Sequence, residues 1–316
     1  WRTLMSKTDF TELTGSKYPI QLAGMPGVAT PELAAAVSNA GGLGMISAAY
    51  KSADYLSSEI RQIKELTPAP VGVNFLMPFL DRDCVHTAAE VARLVEFFYG
   101  EPEPELIDIV HGSGALACWQ TGSLDEALSA EDAGCDIIVA QGIEAGGHVR
   151  GKTKLAELLS SVIQRVRVPV IAAGGIANGS DIARVLKLGA SAVRMGTVFI
   201  AARESGAHPE YVNALIRAEA GDTELTETFT AEWSAPHRVL RSCVKAVETF
   251  KGENVGERSL GGVTKPVPRK SITLPTKNTT GKIDAMALYA SDSVRAVKEE
   301  RTVLSIMEEL MSEAAS

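Results

Sequence analysis

Residues 168–199 read VPVIAAGGIANGSDIARVLKLGASAVRMGTVF, and the punctuation of that run decides the fold. Val168 to Ala173 is an apolar run of strand length, Gly174-Gly175 a turn, Ser180 to Leu188 a helix, and Ala192 to Met195 a second apolar run ending at Gly196. Strand, tight turn, helix and strand again is the repeating unit of a parallel sheet.

The same alternation extends toward the N-terminus. Tyr18 to Ala23 reads as a strand feeding Thr30-Pro31-Glu32, which supply an N-cap, a first-turn proline and an acidic residue at the positive helix end. Leu33, Val37 and Ala40 then share one face, and Gly41-Gly42 stops the helix. Leu43 to Ala48 and Val71 to Leu76 are the next strands, with Leu56, Ile60 and Ile63 marking the helix between them. In the middle, Leu106 to Val110 is too close to Leu116 to Gln120 for both to be parallel strands, since the crossover takes roughly a dozen residues. Strand four is therefore Leu94 to Tyr99, and Pro104 to His111 is a helix. Ser123-Leu124-Asp125-Glu126 opens a helix as a capping box, and Asp136 to Ala140 is strand six. Leu155, Leu158, Leu159, Val162 and Val166 recur at helical spacing, and Pro209 to Ala218 is the eighth helix.

Eight strands, each followed by a helix, predict an α/β protein of the TIM (β/α)8 barrel type over residues 1–250. Residues 251–282, polar and marked by Gly261-Gly262, Pro266, Pro268 and Pro275, read as a covering loop without its own core. Residues 283–316 read as a C-terminal helical segment packing on the barrel.

Composition narrows the function. The 316 residues carry a net charge of −8 and no basic block, which argues against a nucleic-acid partner, whose binding rests on neutralised phosphates. No apolar run approaches the roughly 20 residues of a membrane helix, and Trp1 to Phe10 does not read as a secretory signal. Four scattered cysteines (Cys84, Cys118, Cys135, Cys243) fit neither a disulfide framework nor a CxxC site, and His86, His111, His208 and His237 show no metal-ligand spacing. A cytoplasmic protein without a metal is expected.

In a barrel, ligand chemistry sits where strands end. Strands seven and eight end in Gly174-Gly175 and in Arg194-Met195-Gly196-Thr197, the turns at which this fold recurrently holds phosphate. Strand six ends in Gln141-Gly142-Ile143-Glu144-Ala145-Gly146-Gly147-His148, where glycines admit a flat ligand and His148 is placed to hold or remove a proton. Ala23-Gly24-Met25 closes strand one, either laying bare backbone against a ring system or simply turning. Asn74 either meets a cofactor or substrate edge or caps a local turn, and Glu96 is either a site carboxylate or a salt-bridged interior acid.

These turns, together with AAAVSNAGGLG at 34–44, AQGIEAGGH at 140–148, AAGGI at 172–176 and MGT at 195–197, resemble the nitronate monooxygenases, formerly 2-nitropropane dioxygenases. The resemblance implies an FMN-binding TIM barrel that oxidises alkyl nitronates or nitroalkanes with O2 to carbonyl compounds and nitrite. By position it assigns FMN to Ala23, Gly24, Met25, Asn74, Gln141, Gly146, Gly147, Gly174, Gly175, Arg194, Met195, Gly196 and Thr197. It makes His148 the active-site histidine, and Asn74, His148 and Tyr289 substrate contacts. The chain departs from the family in having Arg194 where Gln is common, and Gln21-Leu22-Ala23-Gly24-Met25 where a Gln-Ala-Pro-Met run is common. Two alternatives share these turns: an FMN-dependent enoyl-acyl-carrier-protein reductase, and a flavin-free barrel isomerase or synthase acting on a phosphorylated substrate.

Overall fold

The structure, a computed structural model, describes residues 7–260 and 263–316. Both Gly261-Gly262 and the first six residues of the N-terminal stretch lie outside them. Eight parallel strands form the centre: β1 (Ile20–Leu22), β2 (Gly44–Ser47), β3 (Val71–Leu76), β4 (Leu94–Phe98), β5 (Leu116–Thr121), β6 (Ile137–Gln141), β7 (Val170–Ala173) and β8 (Ala192–Met195). They lie in sequence order, with β8 hydrogen-bonded to β1 (Ile20 opposite Val193, Gln21 opposite Arg194). A parallel bridge from Gln21 to Leu43 closes the ring between β1 and β2. The eight-stranded TIM-type barrel expected from the sequence is thus present.

Local chemistry accounts for the helices that follow the strands. α1 (Asp9–Thr14) precedes the barrel; α2 (Pro31–Asn39) starts at Thr30, whose hydroxyl accepts the Leu33 N–H at 3.2 Å. α3 (Ala53–Leu66), α4 (Arg82–Ala89), α5 (Pro104–Gly112), α6 (Leu124–Asp132), α7 (Leu155–Ile163) and α8 (Gly179–Lys187) follow in turn. Ser52, Asp81, Ser123 and Asn178 each accept a backbone N–H at the start of their helix, satisfying a donor that the helix leaves free. β4 stops at Phe98 instead of Tyr99 because Tyr99 adopts φ 69°, outside the strand region.

After the short α9 (Thr197–Ile200), the chain departs from the reading above. α10 (Pro209–Arg217), expected as the eighth helix of the ring, packs against residues 283–285 instead. The place between α8 and α2 is taken by the last helix, α12 (Val303–Ala314), which follows α11 (Arg241–Thr249). Its approach to α8 is so close that a Cβ on Gly179 would lie 2.3 Å from the Ala314 nitrogen, and the Glu313 carboxylate accepts the Gly179 N–H at 2.9 Å. The final helix therefore completes the barrel's outer layer.

Two small antiparallel sheets stand over the C-terminal ends of the strands. In one, β9 (Thr223–Thr226) pairs with β10 (His237–Leu240), which also pairs with Gly147–His148. In the other, β11 (Asn254–Leu260) is flanked by β12 (Val263–Pro268) and β13 (Thr279–Gly281). The stretch read as a loop at 251–282 thus carries three strands over half its length, its buried Val255 and Val267 packed on the main core. Residues 283–302 are two 3-10 turns and extended chain, with regular helix confined to α12.

Met307, 1% exposed on α12, packs toward β2, whereas Leu304 on the same helix is 57% exposed. Met307→Ala should cost about 2–5 kcal/mol of stability, and Leu304→Ala less than about 0.5 kcal/mol, in urea unfolding at pH 7. Equal losses would contradict the docked orientation of α12.

Candidate functional site

The barrel interior just below the strand ends is polar. Glu96 of β4, wholly buried, accepts from Asn74 Nδ2 of β3 at 2.8 Å and from Gln21 Nε2 of β1 at 3.0 Å. Its Oε1 also forms an ion pair with Nη1 of Arg194 on β8, and the same Nη1 donates to Gln120 Oε1 of β5. Four strands thereby meet at one carboxylate and a fifth holds its guanidinium partner, and the ion pair satisfies a charge that burial alone would make very costly. Asn74 is further fixed by Gly24, where a Cβ would lie 2.4 Å from the Asn74 Cβ, so only glycine lets the two chains approach.

Above this floor a cleft opens among the strand ends. One end is built from small and hydroxylic groups. Gly174 and Gly175 hold φ of 117° and 68°, left-handed values that favour glycine, and their N–H groups donate to no protein acceptor among the described residues. Opposite them, Thr197 Oγ1 accepts the Ser291 N–H at 3.0 Å, and the Thr197, Ser291 and Ser293 hydroxyls form a chain. The α8 N-terminus contributes no free cap, because Asn178 and Asp181 already accept the Asp181 and Ala177 N–H groups. Free backbone donors beside hydroxyls suit a phosphate.

The other end is aromatic. His148 stacks on Trp233 (4.2 Å between centroids, 29° between planes), and Trp233 meets Tyr99 edge-on at 4.5 Å. Tyr50, with φ 64°, closes the rim against Phe79. Pairing with His237 and Arg238 fixes the His148 backbone, and Gln141 Nε2 donates to its carbonyl at 2.9 Å. The His148 Nε2 is sealed from solvent with no hydrogen-bond partner. Burial, with a smaller contribution from neighbouring His237, pushes its pKa down to about 3, so the ring is neutral at pH 7. His237 is saturated: its Nε2 accepts the Phe229 N–H at 3.2 Å, leaving Nδ1–H to donate to the Ala235 carbonyl at 2.8 Å.

All fifteen residues singled out from the sequence line this one cleft: Ala23, Gly24, Met25, Asn74, Gln141, Gly146, Gly147, His148, Gly174, Gly175, Arg194, Met195, Gly196, Thr197 and Tyr289. Their freedom to act differs. Gln141 spends its amide on the loop that carries His148, and the Tyr289 hydroxyl donates to the Ile272 carbonyl at 3.0 Å. Glu96, open between two roles in the sequence, is a salt-bridged interior acid. Sequence reading missed Gln120, Tyr50, Arg258, Ser291 and Ser293, which line the cleft, and Trp233, which backs His148. Gln120 had a signal of its own, an amide near the end of an apolar strand like Asn74, and Tyr50 stands just after the end of β2; Arg258, Trp233, Ser291 and Ser293 arrive from the distant C-terminal part of the chain and had none. The cysteines are free and buried, and burial raises their thiol pKa values. No group of potential metal ligands occurs among the described residues, nor is any helix among them long and apolar enough to cross a membrane.

Comparison with known proteins converges on one family. A family model described as nitronate monooxygenase matches residues 7–83 and 80–313. A probable nitronate monooxygenase of Staphylococcus saprophyticus is 33% identical over 71% of this chain and 77% of its own length. A nitroalkane oxidase from Streptomyces ansochromogenes has a similar structure (TM-score 0.80, 30% identity, 97% of each chain). So does FabK from Thermotoga maritima (TM-score 0.81, 30% identity, 98% of this chain and 96% of that one).

The low His148 pKa has a thermodynamic consequence. Between about pH 3 and about 6.5, the ordinary histidine value, the unfolded chain binds a proton that the folded chain does not, so acidification through that window destabilises the fold. His148→Gln should remove about 2 kcal/mol of the stability lost between pH 7 and pH 5. Urea midpoints at the two pH values check this, and parallel losses in both proteins would contradict a neutral, desolvated imidazole.

Proposed function

The chain belongs to the nitronate monooxygenase family of oxidoreductases, and from that premise we propose that it binds FMN and oxidises alkyl nitronates with O2 to carbonyl compounds and nitrite. The observation that carries this reading is a single cleft with a phosphate-suited end at Gly174, Gly175, Thr197, Ser291 and Ser293 and an unpartnered imidazole, His148, at the other. Between them Ala23, Gly24, Met25 and Gly196 form a low wall, where a Cβ on Gly196 would press on Ala23 at 3.1 Å. A flat ring anchored by a phosphate fits that shape, with Asn74, Gln120 and Arg194 beneath it. When bound, FMN would supply the electron chemistry that no protein side chain can.

The protein's own part is placement. His148, neutral and lining the cleft, is suited to hydrogen-bond an oxygen of the substrate's nitro group through Nδ1, the ring nitrogen that is not sealed from solvent, and fix the reacting carbon against the cofactor. With its pKa near 3, the ring is a weak base at pH 7, which favours substrates that arrive as nitronate anions over neutral nitroalkanes that must first lose a proton. Tyr50 and Tyr289 line that end and offer ring surface to an alkyl chain, while Trp233, edge-on to Tyr99, stacks on His148.

A second reading is favoured by the likeness to FabK: FMN-dependent reduction of an enoyl thioester at the expense of NADH. Oxygen uptake with a nitronate and without NADH separates the two, and its absence beside NADH-dependent enoyl reduction would overturn the first reading. Purified protein that is colourless, and stays so after FMN is added, would favour the flavin-free alternative. His148→Ala should keep the yellow cofactor yet lose about 10²–10³-fold in kcat; unchanged turnover would refute its role.

A further inference from the structure

The ion pair beneath the cleft is asymmetric. Arg194 lines the cleft, whereas Glu96 lies behind it, fully buried and absent from its walls. Every oxygen of Glu96 is engaged: Oε1 by Asn74 and Arg194, Oε2 by Gln21. A guanidinium has five N–H donors, and Arg194 commits only Nη1, to Glu96 and Gln120. Its other donors bond to nothing among the described residues and are not sealed inside the protein. The pair therefore points a cation at the ligand with its counter-charge screened behind it. The planar fork of arginine is what lets one group face both ways.

On the reading that the cleft holds FMN, reduction adds negative charge to the ligand, and a fixed cation in a water-poor site favours the form that carries it. We propose that Glu96 and Arg194 work as a charge-setting pair for the cofactor. Arg194 offers its free N–H donors to the ring and holds the charge of the reduced form. Glu96 is a positioning residue that aims the guanidinium and tempers its field. The cation comes from β8 and depends on its partner acid on β4.

The test is the midpoint potential of the FMN-loaded protein, measured against reference dyes for wild type, Glu96→Gln and the double variant Glu96→Gln/Arg194→Gln. The double variant keeps amide hydrogen bonding and leaves no unpaired buried charge, so it folds where Arg194→Gln alone is at risk. Glu96→Gln should favour the reduced form about tenfold more than wild type, a rise of about 30 mV for a two-electron couple, and the double variant about tenfold less. A purely structural ion pair would change melting temperature while leaving all three potentials equal, and that result, or the reverse order, would overturn the proposal. Protein that takes up no FMN would sink the cofactor reading together with this inference; yellow protein with unmoved potentials would sink the inference alone.

Discussion

Glu96 is the constraint around which the barrel's upper interior is arranged. A carboxylate with no exposed surface persists in a packed core only when its charge is matched and its lone pairs are filled. Arg194, Asn74 and Gln21 do this from three other strands, and Gln120 holds the guanidinium from a fourth. Because those side chains must converge on one point, the register of β1, β3, β4, β5 and β8 is tied to it: Asn74 sits opposite Glu96, and Gln21 opposite Arg194. The apolar layers below would tolerate many residue combinations; this layer tolerates few.

The network also creates the cleft's floor, and the elements above decide what stands on it. Gly24 is needed because Asn74 is held toward Glu96, and that close approach leaves the wall after β1 low enough for a flat ligand. The opposite wall is the β6 turn, bonded within itself where the Ala145 N–H donates to the Gly142 carbonyl at 3.1 Å. It is pinned by β10 through the pairing of His148 with His237, and by Arg238, whose Nη2 donates to the Ile143 carbonyl at 2.9 Å. The small sheet of β9 and β10 thus serves the site: it holds His148 in place, and burial there beside Trp233 is why the ring's pKa falls.

Much of this was readable from local pattern. Apolar runs, caps such as Thr30 and Ser123, and glycines at strand ends each act within a few residues, so their consequences were accessible without tertiary knowledge. Fourteen of the fifteen residues proposed for the site share one cleft because parallel barrels gather strand ends at one face; Tyr289 joins them from the C-terminal segment. The errors came where sequence distance was large. α10 and α12 are both amphipathic, and nothing in either says which will fill the gap between α8 and α2. Ser291 and Ser293 lie nearly a hundred residues from Thr197, and the hydroxyl cluster they complete exists only once the chain has folded back.

By itself, then, the sequence determined the order of strands and helices, the face on which ligands bind and the candidate histidine, since these depend on periodicity, capping and strand polarity. Only the tertiary structure decided the charge and hydration of that site. Whether Glu96 is neutralised, whether Arg194 keeps donors free and whether His148 stays uncharged are properties of groups brought together across strands and loops, set by distance and burial, and neither is encoded in any single stretch of the chain.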